Sequence, residues 1–425
     1  MSDVSHELVL GVDYADDVEQ AFQRGEVGDT PVIEAIMDHA VAAGCSVVNW
    51  RVSHLGRLTY RTEVGTRVQP HRSLRESLSA FGLVFQRIDP LRVAVDAAHA
   101  RRLKLHVYFT LFDEARRGGG DAPDSEGWLG QQHPEYYLQR HDGGWSVRGV
   151  FSFGHDAVRA YFRDLIAEAL TYQPDGIFLD CARSHAGSHP IPLKGGWPIW
   201  TNPYLSYGYN PPDVHRYRNT YGEDPPARTQ RSDWQSLEET EIEQRWNRVR
   251  GEALTQFLQE LRPLCRDADA ELRVGFFPTT QNRSNPGYHV NHVLGRYHLD
   301  WPTWCEQGLV DAITLFSGNG RSGTRDWLIH SRDVFQQAQA HSVKVLPQTG
   351  INGQLDEAPL GDNRQPLRCD DDPQAYYTRI TELTRDALVG GADGMYYYEH
   401  ANADEDTWRA IAAGATQAAQ RASHT

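Results

Sequence analysis

Lysine is nearly missing from this chain. Of 42 basic residues among 425, only Lys104, Lys194 and Lys344 are lysines. A Schiff-base aldolase or a pyridoxal enzyme needs a Lys at its reaction centre, so their positions matter below. Cysteine is scarce too: Cys45, Cys181, Cys265, Cys305 and Cys369 are scattered, with no CxxC. That pattern excludes a zinc knuckle and suits reduced thiols in a cytosolic protein better than a disulfide framework. Basic charge is in deficit, with 57 Asp and Glu against 42 Lys and Arg and a net charge of −15. No basic stripe occurs, so nucleic acid is not an expected partner. No run of about 18 apolar residues occurs, so no membrane-spanning helix is expected. The opening MSDVSHELVLGVDY has no basic, then long apolar, leader pattern, and the expected location is therefore cytoplasmic. There is no GxGxxG after an early strand and no HExxH, which weakens a dinucleotide-binding reading and argues against a zinc-protease one. An HxH after the first strand is also missing, as is a Gly-rich phosphate cradle late in the chain, TGING (Thr349–Gly353) being a weak exception. No metal and no cofactor are expected.

What is present is an alternation. Short apolar runs recur eight times, separated by segments of helical period: LVLGVDY, CSVVNWRVS, KLHVYFTLFDE, DGIFLDCARSH, ELRVGFFPTT, LVDAITLFSGN, VKVLPQTG and ADGMYYYEHAN. Strands apolar on both faces and separated by helices indicate a parallel sheet covered by helices. Eight such units predict an α/β fold, a (β/α)8 TIM barrel, as one domain over residues 1–425. A doubly wound sheet is the competing architecture. Joins from helix to strand are tight (Gly44-Cys45, Leu103-Lys104, Gly391-Ala392), whereas those leaving strands two, three, four, five and seven are long, polar and aromatic. The long side of such a barrel is its catalytic mouth. Lys104 and Lys344 open strands three and seven on the opposite, stability face, and Lys194 lies in a loop, so no Schiff-base lysine is expected.

The strand ends carry the candidate site. They read Asp13, Trp50-Arg51, Asp113-Glu114, Asp180 with Arg183 and His185, Thr279-Thr280, Ser317 and Asn319, Gln348, and Glu399-His400 with Asn402. Acids, guanidinium groups, amides and aromatics suit a polyhydroxylated ligand, because forked donors and acceptors grip vicinal hydroxyls and indole faces pack on sugar C–H surfaces. Asp180 stands out, an acid ending the apolar run Ile177-Phe178-Leu179; the bland alternative is a structural pair with Arg183 or Arg51. Glu399 similarly ends Met395-Tyr396-Tyr397-Tyr398, and could instead bond a loop amide. Asp113-Glu114 could be a helix-start charge pair, and Asp13 could serve to orient Arg51.

The stretch FSFGHDAVRAYFRDLIAEALTYQPDGIFLDCARSH (Phe151–His185) resembles the glycosyl hydrolase-like barrel proteins, whose hallmark is a PeVRxY helix followed by DGIxxDyxR at strand four. Val158, Arg159, Tyr161, Asp175, Gly176, Ile177, Asp180 and Arg183 carry the match. WPTWCEQGLVDAITLFSG (Trp301–Gly318) looks like the same family's segment before strand six. NWRVSHLG, IDPLRVAVDAAHARRLKLHVYFTLFDE and GADGMYYYEH are similar to a bacterial branch of it. The resemblance implies a retaining or inverting glycosidase-type barrel with Asp180 as its best-placed acid. Two departures are visible. Ala182 stands where the chitinase-like DGIxxDxE would need Glu, and Cys181 where an aromatic is usual.

The expected activity is hydrolysis of a glycosidic bond in an oligo- or polysaccharide by a carboxyl pair. Asp180 is the expected nucleophile or base, Glu399 the first choice for proton donor and Glu114 the second. Asp13, Trp50, Arg51, Asp113, Arg183, His185, Gln348, His400 and Asn402 are expected to bind substrate. Trp197, Trp200 and Trp301 are further stacking candidates. A metal-dependent sugar isomerase or epimerase and a non-catalytic glycan-binding barrel stay open as alternatives. The sugar, its linkage and the oligomeric state are not legible.

Overall fold

The computed structural model describes residues 6–68, 76–115, 127–141, 143, 146–181, 208–226, 241–276, 299–316, 332–355 and 367–423. Eight strands form a closed parallel barrel. They are β1 (Glu7–Val12), β2 (Val47–Arg51), β3 (Lys104–Thr110), β4 (Gly176–Asp180), β5 (Glu271–Phe276), β6 (Ala312–Leu315), β7 (Lys344–Gly350) and β8 (Gly394–Tyr398). Neighbours pair in chain order, and β8 closes on β1 with Leu10 opposite Tyr397. The expected TIM barrel is the observed one, and the helices cover its outside.

Side chains alternate along each strand, which sorts the ring into two faces. Val9, Val47, Tyr108, Phe178, Ala312, Phe316, Leu346 and Tyr396 form the apolar filling of the barrel. The intervening residues, such as Leu8, Leu10, Val48 and Trp50, join the larger core between sheet and helices. Asp180 is in phase with Phe178 and Arg51 with Val47, so both point inward.

Helices α1 (Tyr14–Gln23), α2 (Thr30–Ala42), α3 (Glu76–Arg87) and α4 (Pro90–Ala100) serve the first two units. Pro31 in the first turn of α2 fits a position whose N–H has no helical partner, and Gly44, at φ +75°, turns the chain directly into β2. Later come α5 (Trp128–Gln132), α6 (Asp156–Leu170), α7 (Pro211–Tyr221), α8 (Glu241–Asp267), α9 (Trp301–Glu306), α10 (Arg332–Gln339), α11 (Pro373–Val389) and α12 (Glu405–Ala422). Helices α1 and α3 depart from the sequence reading. The run LVLGVDY is strand only to Val12, because Tyr14 opens α1. The polar insertion after β2 contains a helix, α3. Among the described residues no helix is long and apolar enough to cross a membrane.

Candidate active site

The inward phase of β4 brings Asp180 to the carboxyl end of the barrel, 1 % exposed and inside the strand ring rather than beneath the helices. The Tyr108 hydroxyl, from the adjacent β3, donates to Asp180 Oδ2 at 2.6 Å. Tyr108 in turn meets Phe178 edge-on, and Phe178 stacks on Tyr396. An aromatic floor thus fixes the height and direction of the acid.

A second acidic group sits where β1, β2, β3 and β8 end. Arg51 donates from Nη1 to Asp13 and from Nη2 to Asp113, the latter at 2.9 Å. Tyr398, stacked on Tyr396, donates to Asp13 Oδ2 at 3.3 Å. Glu399 follows β8 directly and accepts from Asn402 Nδ2 at 2.8 Å. Carboxylate oxygens of Asp13, Asp16 and Glu399 lie within 4.8 Å of one another. Three hard oxygen ligands at that spacing resemble a cation site, but the Arg51 guanidinium, the Asn402 amide and the Tyr398 hydroxyl already donate into the group. We therefore read it as an acid cluster balanced by donors. Asp16 was not singled out from the sequence. The signal was its place three residues beyond Asp13 at the start of a helix, which puts both acids on one face.

Other expected residues go elsewhere. Arg51 is 2 % exposed with both amino groups committed, so it orients Asp13 and Asp113. Trp50 is out of phase with Arg51 and fully buried against Tyr14, with ring centroids 4.6 Å apart. Its indole belongs to the layer between sheet and helices. Asp113 and Glu114 diverge: Asp113 meets Arg51, whereas Glu114 lies close enough to Tyr161 of α6 to perturb its hydroxyl. Burial, reinforced by the charge of Asp113, pushes the Glu114 carboxyl up to about 8. Gln348 is buried near the end of β7. His400 is tied to Asp17 and His39. Trp301 opens α9 and packs against the core between sheet and helices. Arg183, His185, Thr279, Thr280, Ser317, Asn319, Trp197 and Trp200 lie outside the described residues.

No protein-family model and no curated protein sequence matches the chain. Solved structures do. An alpha-L-fucosidase isoenzyme 2 from Paenibacillus thiaminolyticus aligns over 99 % of this chain at 12 % identity and TM-score 0.55. A beta-galactosidase from the psychrophilic Marinomonas ef1 aligns over 98 % at 13 % identity and TM-score 0.53. An endo-1,4-beta-mannanase from Rhizomucor miehei aligns over 99 % at 11 % identity and TM-score 0.50. The chain spans 50 % of the fucosidase, 59 % of the galactosidase and 95 % of the mannanase. At such identities the likeness is one of fold, and that fold is the TIM barrel.

Proposed function

We propose that the protein is a glycoside hydrolase acting on an oligo- or polysaccharide, with Asp180 as nucleophile or base and Glu399 as proton donor. The observation that carries the reading is the placement of these two acids at the ends of β4 and β8, strands that lie opposite each other in an eight-membered ring. A sugar ring held between them would meet one acid on each face. Protonation of the leaving oxygen by one and attack, direct or through water, by the other completes hydrolysis. The Tyr108 phenol donates to Asp180, which orients the carboxylate. A carboxyl separation of about 5–5.5 Å in the substrate complex would mean retention, and about 6.5–9.5 Å inversion.

Glu114 is the second assignment for the donor, favoured by one observation. A carboxyl held up to about 8 carries its proton at neutral pH, as a general acid must. Its position toward α6 favours Glu399. We place the reaction in the cytoplasm, since all five cysteines are free thiols, as in a reducing compartment.

The test is a panel of glycans and aryl glycosides with Asp180→Asn, Glu399→Gln and Glu114→Gln. Asp180→Asn should lower kcat on every substrate by at least about 10²-fold. Glu399→Gln should fall by a similar factor on glycans yet spare a dinitrophenyl glycoside, whose leaving group needs no proton. If Glu114→Gln shows that split instead, the donor is Glu114. Near wild-type hydrolysis in both Asp180→Asn and Glu399→Gln removes the assignment, and glycan binding without turnover identifies a lectin-like barrel.

A further inference from the structure

The segment that carries Glu399 is anchored from outside the mouth. Directly after Glu399, His400 Nδ1 lies 2.6 Å from Asp17 Oδ1 on α1, and its Nε2 lies 2.9 Å from Nδ1 of His39 in the last turn of α2. Gln20 of α1 donates to the carbonyl of Ala401. Trp408 of α12 stacks on both imidazoles, with centroids 5.4 and 5.5 Å away and interplanar angles of 12° and 18°. Three helices thus converge on one residue beside the candidate acid.

The chemistry of that line is constrained. The Asp17 carboxylate can only accept, so His400 donates from Nδ1. In a neutral ring its Nε2 is then an acceptor, which requires His39 to donate from Nδ1. Only Nε2 of His39 is left to take a further proton. When it does, the Nδ1 proton of His39 can cross to His400 Nε2. His39 is then neutral in its other tautomer, and His400 is an imidazolium against Asp17. One proton enters and one positive charge appears next to Glu399.

We propose that Asp17, His400 and His39 form a proton-sharing strut that positions the Glu399–Asn402 segment, with His39 as its proton entry. The proposal rests on the reading that Glu399 works in the mouth. The charged groups around His39 are Asp38 on its own helix, Asp17 on α1, Glu405 on α12, and His400; Asp38 is itself paired with Arg101. Burial, then the charge of His400, holds the His39 imidazole below the ordinary 6.5, against the raising effect of those acids.

Two variants separate strut from proton uptake. His39→Asn places an amide N–H near the Nδ1 position and cannot take a proton; His39→Phe removes both. In nitrogen-15 histidine spectra of the full chain, the His39 and His400 signals should change over the same pH range, as for coupled sites, and His39→Asn should abolish that shared response at His400. Asp17→Asn should switch the His400 tautomer. On aryl glycosides, His39→Asn should keep the plateau kcat within about twofold and lose one limb of the pH profile, whereas His39→Phe should lower kcat throughout. A His400 signal whose pH response is the same in His39→Asn as in the wild type overturns the proposal. So does a normal His400 tautomer in Asp17→Asn. If no glycoside is turned over, the functional reading falls while the spectra still decide the strut.

Discussion

At the scale of single residues, Glu114 is a side chain whose state its neighbours in sequence do not announce. It is 3 % exposed, and among the described residues no hydrogen bond engages its carboxyl. Its folded value of about 8 lies above the ordinary 4.5. Between those two values the folded state binds the proton more tightly than the unfolded chain, so stability falls as pH rises through that window. Glu114→Gln removes the titration. We expect the variant to gain on the wild type between pH 5 and pH 8 by more than about 1.4 kcal/mol, the worth of one pKa unit. Urea unfolding at the two pH values checks this, and an equal difference at both would refute it. The adjacent Asp113 shows why such a state was not legible. Two neighbouring acids read alike in sequence, but past the end of β3 they part, one to Arg51 and one toward Tyr161. Arg51 and Trp50 divide in the same way. Strand phase decides which of a polar-aromatic pair enters the barrel, and the sequence shows the pair without the phase.

At the scale of elements, the eight strands were legible because each is a short apolar run, and three of them follow a helix through a tight join (Gly44-Cys45, Leu103-Lys104, Gly391-Ala392). Helix α1 was not. Its sequence, YADDVEQAFQ, is acidic and only half apolar, and it follows Asp13 without a turn signal. It nevertheless supplies Asp16 and Asp17 to the two acid arrangements beside β8. The close packing of α11 on α12 was equally hidden, and it yields two expectations. Gly414 lies inside α12, where Gly costs up to about 1 kcal/mol against Ala. Propensity alone would make Gly414→Ala stabilising. A Cβ there would sit 2.6 Å from the Thr381 carbonyl oxygen and 2.6 Å from Thr384 Cβ. Overpacking at such a contact costs about 1–3 kcal/mol, so we expect a net loss, and a higher urea midpoint for Gly414→Ala would show the crossing to be loose. At the start of the same helix, Asp404 accepts from the Thr407 N–H at 2.9 Å and from Tyr377 of α11 at 2.6 Å. Asp404→Ala loses a cap and an interhelical bond together, for a cost of about 1–2 kcal/mol in the same assay.

At the scale of the whole molecule, the barrel is closed twice, once by backbone pairing of β8 with β1 and once by charge across its base. Arg273 of β5 donates to Glu7 of β1, on the opposite side of the ring, and also to Glu271 of its own strand. Lys344 of β7 reaches Glu7 at 2.8 Å, and Lys104 of β3 reaches Glu271 at 2.6 Å. All four odd-numbered strands thus contribute to one layer, the arrangement by which alternate strands fill a (β/α)8 interior. The scarcity of lysine gains a structural sense here, since two of the three sit in this layer, far from the mouth. Burial by itself would raise both acids, but hydrogen bonds and charge from Arg273 and the lysines bring Glu7 and Glu271 down to about 2. Because the folded values lie below the ordinary 4.5, this stabilisation is present above about pH 4.5 and is lost as pH falls toward 2. Arg273→Met keeps the apolar stem of the side chain but not its guanidinium, and leaves two acids facing each other across the base with only the half-exposed lysines to answer them. Removing one partner of a buried ion pair costs about 3–5 kcal/mol, and we expect that loss at pH 7. Below pH 4 the acids of the variant are protonated and no longer need a partner, so the gap to wild type should shrink. Denaturant unfolding at pH 7 and pH 3.5 measures both ends. A constant gap would mean that Arg273 acts through packing alone, and the base of the barrel would then be held by shape rather than by charge.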